Sequence, residues 1–116
     1  PASSREEFDA YAVGSAVMAT CFGMFGTIAG WMEAQGVAPD AARAYLGGLF
    51  SGLARTAAEV PDLSFDALRE GHSTPGGLNQ QCHDVMVAAG GFAALTVALD
   101  RLGLRVGRAF AAGDAE

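Results

Sequence analysis

Hydrophobic positions along this chain recur at three and four residues, and no segment shows convincing strand alternation, so helices are expected throughout. Ser3 and Ser4 are each followed three residues later by Glu6 and Glu7. That is capping-box spacing, with acidic charge where a helix dipole favours it, and a first helix is expected to begin there. From Ala10 to Met32 no charged residue occurs, a run of roughly 20 residues, long enough to cross a bilayer. The run also carries Gly14, Ser15, Thr20, Gly23, Gly26, Thr27 and Gly30, is rich in Ala, and lacks flanking Lys or Arg anchors beyond Arg5. A helix apolar on every side can equally lie at the centre of a soluble assembly, covered by its own domain and by a partner. Packing is therefore the expectation, with no membrane, and the glycines let neighbouring backbones approach.

Gly36-Val37-Ala38-Pro39-Asp40 reads as a helix stop followed by a new start. The next helix is expected from about Pro39 to Val60, with Ala42, Leu46, Leu49, Leu53, Ala57 and Val60 on its apolar face and Arg43, Gly47, Ser51, Arg55 and Glu59 on another. Pro61 to Ser64 breaks it, and Ser64 caps a short helix that Gly71 ends. After His72 to Gly77, an apolar stripe of Leu78, Cys82, Val85 and Ala89 is bent or broken by Gly90-Gly91 and resumes as Phe92, Leu95, Leu99, Leu102, Val106 and Phe110. Arg101, Arg105 and Arg108 are placed near the C-terminal end of that last helix, where positive charge suits the dipole. The predicted class is all-α.

Composition narrows the partners. With 116 residues, 51% of them hydrophobic, the chain is sized for one domain, residues 1–116. Sixteen glycines against four prolines follow no collagen-like or low-complexity period, so they mark turns and close contacts. A net charge of -6 disfavours nucleic acid and anionic membrane surfaces, both of which need clustered cations. Cys21 and Cys82 give no disulfide framework; each sits in an apolar run, where a thiol packs as a small hydrophobe, and a reducing cytoplasm fits. The chain opens at Pro1 without a basic region and small-residue cleavage site, and is expected to be a piece of a longer protein.

Candidate chemistry concentrates at Ser73-Thr74-Pro75-Gly76-Gly77-Leu78-Asn79. Hydroxyls, a proline suited to a helix start and two residues without side chains can together expose backbone N–H groups at a helix N-terminus, where a carboxylate or phosphate is held. Such a string is as readily an ordinary loop-to-helix turn. The expectation taken forward is an anion site, with the amides near Gly76 and Gly77 pointing into a shared cleft.

The same string resembles the Ser-Pro-Gly-Gly-x-Thr signature of the pyrroline-5-carboxylate reductases. Gly14-Ser15 is similar to a Gly-Ser pair early in that family's long first helix, Gly36-Val37-Ala38-Pro39 leading to Ala42 to its Gly-Leu-x-Pro-x-x-Ala stretch, and Gly90-Gly91-Phe92 to its Gly-Gly-Phe segment. The resemblance runs through nearly the whole chain in order. It implies a helical bundle forming an interlocked homodimer of the 6-phosphogluconate dehydrogenase C-terminal-like type, preceded by an NAD(P)-binding domain outside this chain. It also implies hydride transfer from that cofactor to the C=N bond of a cyclic imino acid, a step of proline biosynthesis, with the signature turn holding the substrate carboxylate. Ser73, Pro75, Gly76 and Gly77 match the signature by position, Thr74 fills a Ser-like slot, and Asn79 stands where the family has Thr. Ala16-Val17-Met18 replaces the Pro-Ala that follows the family's Gly-Ser pair.

Other polar residues offer less. His72 and His83 have no carboxylate or second thiol at ligand spacing, so no metal site is expected. Cys82 and His83 point about 100° apart on a helix and cannot pair as nucleophile and base; Cys82 is assigned to the core, and His83 with Asp84 to a solvated face. Glu33, Glu59 and Asp66 are separated by whole helices, so no catalytic carboxylate is assigned, and Trp31 and Met32 are taken as core or interface residues. The expected function is thus a dimerisation and substrate-loop domain of an NAD(P)-dependent reductase acting on an imine or another small carboxylated substrate. The alternative is a non-enzymatic helical self-association module.

Overall fold

A computed structural model describes residues 4–115, and side chains over 4–107. Among these residues the chain is all-helical, with α1 (Arg5–Ser15), α2 (Met18–Ala34), α3 (Pro39–Glu59), α4 (Phe65–Gly71), α5 (Leu78–Ala88) and α6 (Gly91–Ala115) in order. It divides into two compact units, Pro1–Ala19 with Cys82–Glu116, and Thr20–Gln81.

In the first unit, Ser4 caps α1 by accepting a hydrogen bond from the Glu7 amide at 3.1 Å. Ser3, the other half of the expected signal, lies outside the described residues. The single long first helix expected from the uncharged run is interrupted at Ala16 and Val17. Gly-Ser pairs are a known source of kinks. Here the Ser15 hydroxyl donates to the Ala12 carbonyl at 2.9 Å, and the Ala16 amide tightens onto Val13 at 3.0 Å. Helix α1 packs on α6. The half-buried positions include Asp9 and Val13 on α1 and Leu99, Leu102 and Val106 on α6, set at helical spacing.

Helices α5 and α6 are separated by Gly90 (φ 82°) and bent by 54°, as the Gly-Gly pair predicts. The three arginines do not crown the end of α6. The helix runs on to Ala115 with no basic residue in its last turn, because Ala109, Ala111 and Ala112 favour helix and no proline stops it. Arg101 and Arg105 are exposed along its middle, while the Arg108 and Phe110 side chains fall outside the described ones.

In the second unit, α2 ends in a Schellman motif. Gly36 (φ 102°) donates to Glu33 at 3.0 Å and Val37 to Met32 at 3.1 Å, which satisfies carbonyls the helix end would leave open. Pro39 then starts α3, and Val60 caps it one residue earlier than expected. Ala42 and Leu46, successive members of the predicted apolar face, are the buried residues of the described chain; Leu49 and Leu53 farther along that face are exposed. Phe25 of α2 stacks on Phe50 of α3 with ring centroids 4.1 Å apart, and Phe22 meets Phe25 edge-on at 5.9 Å. Ser64 caps α4 by accepting from the Ala67 amide at 3.0 Å.

Candidate substrate turn and exposed faces

The turn predicted to hold a carboxylate lies in the second unit, between α4 and α5. It begins by closing α4: the Ser73 hydroxyl donates to the Arg69 carbonyl at 2.7 Å, the Ser73 amide to Glu70 at 3.0 Å, and a His72 ring nitrogen, Nδ1, lies 2.8 Å from the Leu68 carbonyl. Residues 74–77 then form a tight turn in which the Gly77 amide donates to the Thr74 carbonyl at 2.8 Å. Proline in the second position and a positive-φ residue in the third are the type II pattern, which Pro75 and Gly76 (φ 76°) fill. A Cβ added at Gly77 would lie 3.0 Å from the Thr74 carbonyl oxygen. The turn thus favours glycine at 76 through its positive φ, and a side chain at 77 would make the Thr74 carbonyl give by a few tenths of an ångström.

The two glycine amides, expected to point into a cleft, have acceptors within the chain. Gly77 uses Thr74, and the Gly76 amide donates to Gln80 Oε1 at 2.7 Å. Gln80 was missed in the sequence, although a Gln three residues past a helix start is a recognisable capping signal. Thr74, Pro75, Gly76 and Asn79 are exposed, Ser73 and Gly77 half-buried. Asn79 stands in the first turn of α5, where the leading amides carry the positive end of the helix dipole.

Two assignments on α5 change. Cys82, placed in the core by its apolar neighbours, is exposed, as are Leu78 and Val85 of the same stripe, because little of this chain covers that side of α5. His83, assigned to solvent, is half-buried with its ring centroid 5.2 Å from that of Phe92 on α6. Among the described residues no group of three or more His, Cys, Asp or Glu side chains converges in a way that could hold a metal.

Within the first unit, α1 and α6 frame a cleft of about 460 Å³ lined by Glu6, Asp9, Ala10, Val13, Gly14, Leu99 and Gly103. Gly14, singled out by the Gly-Ser pair, thus faces a cleft rather than a packed helix. The glycines Gly23, Gly26 and Gly30 do not serve close packing within the chain either: a Cβ at any of them meets no atom within 4 Å. The span Arg5–Ala34 is long and apolar enough to cross a membrane, and none of its apolar window is buried.

Comparison with family models, with curated proteins and with solved structures returns no match.

Proposed function

We propose that this chain is the dimerisation and substrate-loop domain of an NAD(P)-dependent reductase acting on a cyclic imine that bears a carboxylate. The observation that carries the self-association is the exposure of large apolar side chains on α1 and α2, Phe8, Tyr11, Met18, Phe22 and Trp31 among them. A soluble protein seldom leaves so many large apolar side chains uncovered. The reductase half rests on the resemblance of the 73–79 string and its flanking segments. In this reading the cofactor binds outside the chain and supplies the hydride, while the exposed rim of the turn and the start of α5 meet the carboxylate.

The test is oxidation of reduced nicotinamide by the protein that includes this chain and its upstream part, with a cyclic imino acid as substrate. Asn79→Ala is the informative variant, because Asn79 is exposed and plays no part in the turn's own hydrogen bonds. Losing a hydrogen bond to a charged group, worth about 1.5–3 kcal/mol, should raise KM about tenfold or more and leave the dimer intact. Gly77→Val is less discriminating, since it disturbs the turn whatever the turn binds. Absence of activity on any imine, with self-association retained, leaves the non-enzymatic helical module.

A rival reading is favoured by one observation: the uncovered Arg5–Ala34 span fits a bilayer as well as it fits a partner. Its glycines and hydroxyls and the acidic residues Glu6, Glu7 and Asp9 at its start weigh against that reading. Purification without detergent decides between them.

A further inference from the structure

The cleft between α1 and α6 is formed within one compact unit, where those two helices pack on each other. Its floor is apolar: Val13 and Leu99 are half-buried, and Ala10 lines the opening beside them. Two helical glycines leave it open. Gly is the poorest helix former after proline, yet Gly14 and Gly103 both stand inside helices, and a Cβ added at either meets no atom within 4 Å. Close packing therefore explains neither. At about 460 Å³ the space falls in the range of small-molecule sites, about 300–1,000 Å³, which are mostly apolar with a few placed polar groups.

The charged groups of the cleft are both carboxylates. Glu6 and Asp9 are three residues apart and so neighbours on one side of α1. Glu6 lies in the first turn, where the helix dipole accounts for an acid. Asp9 is past that turn and half-buried, at a position where a hydrophobic residue would complete the packing. Among the described residues neither carboxylate accepts a hydrogen bond or forms an ion pair. The cations of α6 lie on its other side: Arg101 is two residues from both Leu99 and Gly103, and Arg105 two from Gly103, about 200° round the helix. The negative charge of the cleft is left to be matched from outside the chain.

Two carboxylates over a hydrocarbon floor suit a cation that carries its own apolar body. A bare divalent ion takes six or more oxygen ligands, and among the described residues no third His, Cys, Asp or Glu joins this pair. An ammonium group has three N–H donors, enough for Glu6 and Asp9 together, while its alkyl chain covers Val13 and Leu99. We propose that the cleft between α1 and α6 binds a primary alkylammonium ion, with the ammonium donating to Glu6 and Asp9 and the chain lying on the apolar floor. The inference stands apart from the function proposed above and uses none of the residues of the 73–79 turn.

The probe is n-hexylamine, protonated at neutral pH as a lysine side chain is, with hexanol as its neutral equivalent and hexanoate as its anionic one. Each is titrated into the methyl-labelled protein while the Val13 and Leu99 methyl resonances are followed. Hexylammonium should shift both saturably and bind at least tenfold more tightly than hexanol, and hexanoate should leave them unmoved. Asp9→Asn should weaken hexylammonium about tenfold and leave hexanol unchanged. Gly103→Leu puts a side chain into the open space and should remove the binding while helix content is retained; Ala10→Leu, which narrows the opening from α1, makes the same test should Gly103→Leu fail to fold. Hexanol or hexanoate binding as tightly as hexylammonium overturns the charge recognition. Binding that survives both leucine variants puts the amine elsewhere and overturns the site, and a folded protein whose two methyls do not respond to hexylammonium overturns the proposal outright.

Discussion

Helix α3 and the α1–α2 stretch differ in how their apolar residues are arranged, and that arrangement predicts where each finds its cover. On α3 the apolar positions keep to one face, and Ala42 and Leu46 on that face are buried by the chain itself. On α1 and α2 apolar residues appear on every side, and none is buried. A one-sided pattern is satisfied by a single neighbouring surface, whereas an all-round pattern needs a second surface from elsewhere. The contrast separates what holds this chain folded from what it leaves uncovered.

The sharpest break of that contrast is at Leu46, which is 4% exposed. Leu46→Ala should cost about 2–5 kcal/mol of stability, the range for emptying a buried leucine site, measured as a shift in denaturant midpoint whose size does not depend on protein concentration. Phe22→Ala comes next. Burying such a side chain contributes about 1.5–3 kcal/mol, so self-association should weaken by about ten- to a hundredfold in sedimentation while helix content at high concentration is retained. If Phe22→Ala behaved like Leu46→Ala, with no dependence on concentration, the distinction between the two regions would fail. The smallest effect should come from Ser64→Ala, which removes the cap from the Ala67 amide and should cost about 1 kcal/mol, visible as fraying of α4 in amide exchange with the assembly untouched.

Local features of the fold were legible because they are written in residues with few conformational options. Ser64 and Ser4 cap where their spacing to downstream amides predicts, Gly36 and Pro39 separate α2 from α3, and Gly90 parts α5 from α6. The break at Ala16 was less visible, since it arises from a Gly-Ser pair inside an otherwise continuous apolar run and not from a proline. Burial was legible only on α3. Periodicity identifies an apolar stripe but not the surface that covers it, which is why Leu78, Cys82 and Val85 satisfy the pattern on α5 and still face outward. At the candidate turn, the residue types announced a helix start. They did not reveal that Thr74 and Gln80 supply acceptors for the two glycine amides, since that follows from the type II geometry and from one side-chain rotamer.

Under the function proposed above, the Gln80 contact makes recognition at this turn a contest between two acceptors rather than the filling of a vacancy. Any carboxylate that takes the Gly76 amide must first turn Gln80 Oε1 away from it, so selectivity there depends on the difference between a charged oxygen and a neutral one for the same donor. A neutral ligand of the same shape brings no such advantage over the resident carboxamide and leaves the glutamine in place. In that reading the turn carries its own threshold for ionised ligands, set by a side chain one helical turn away.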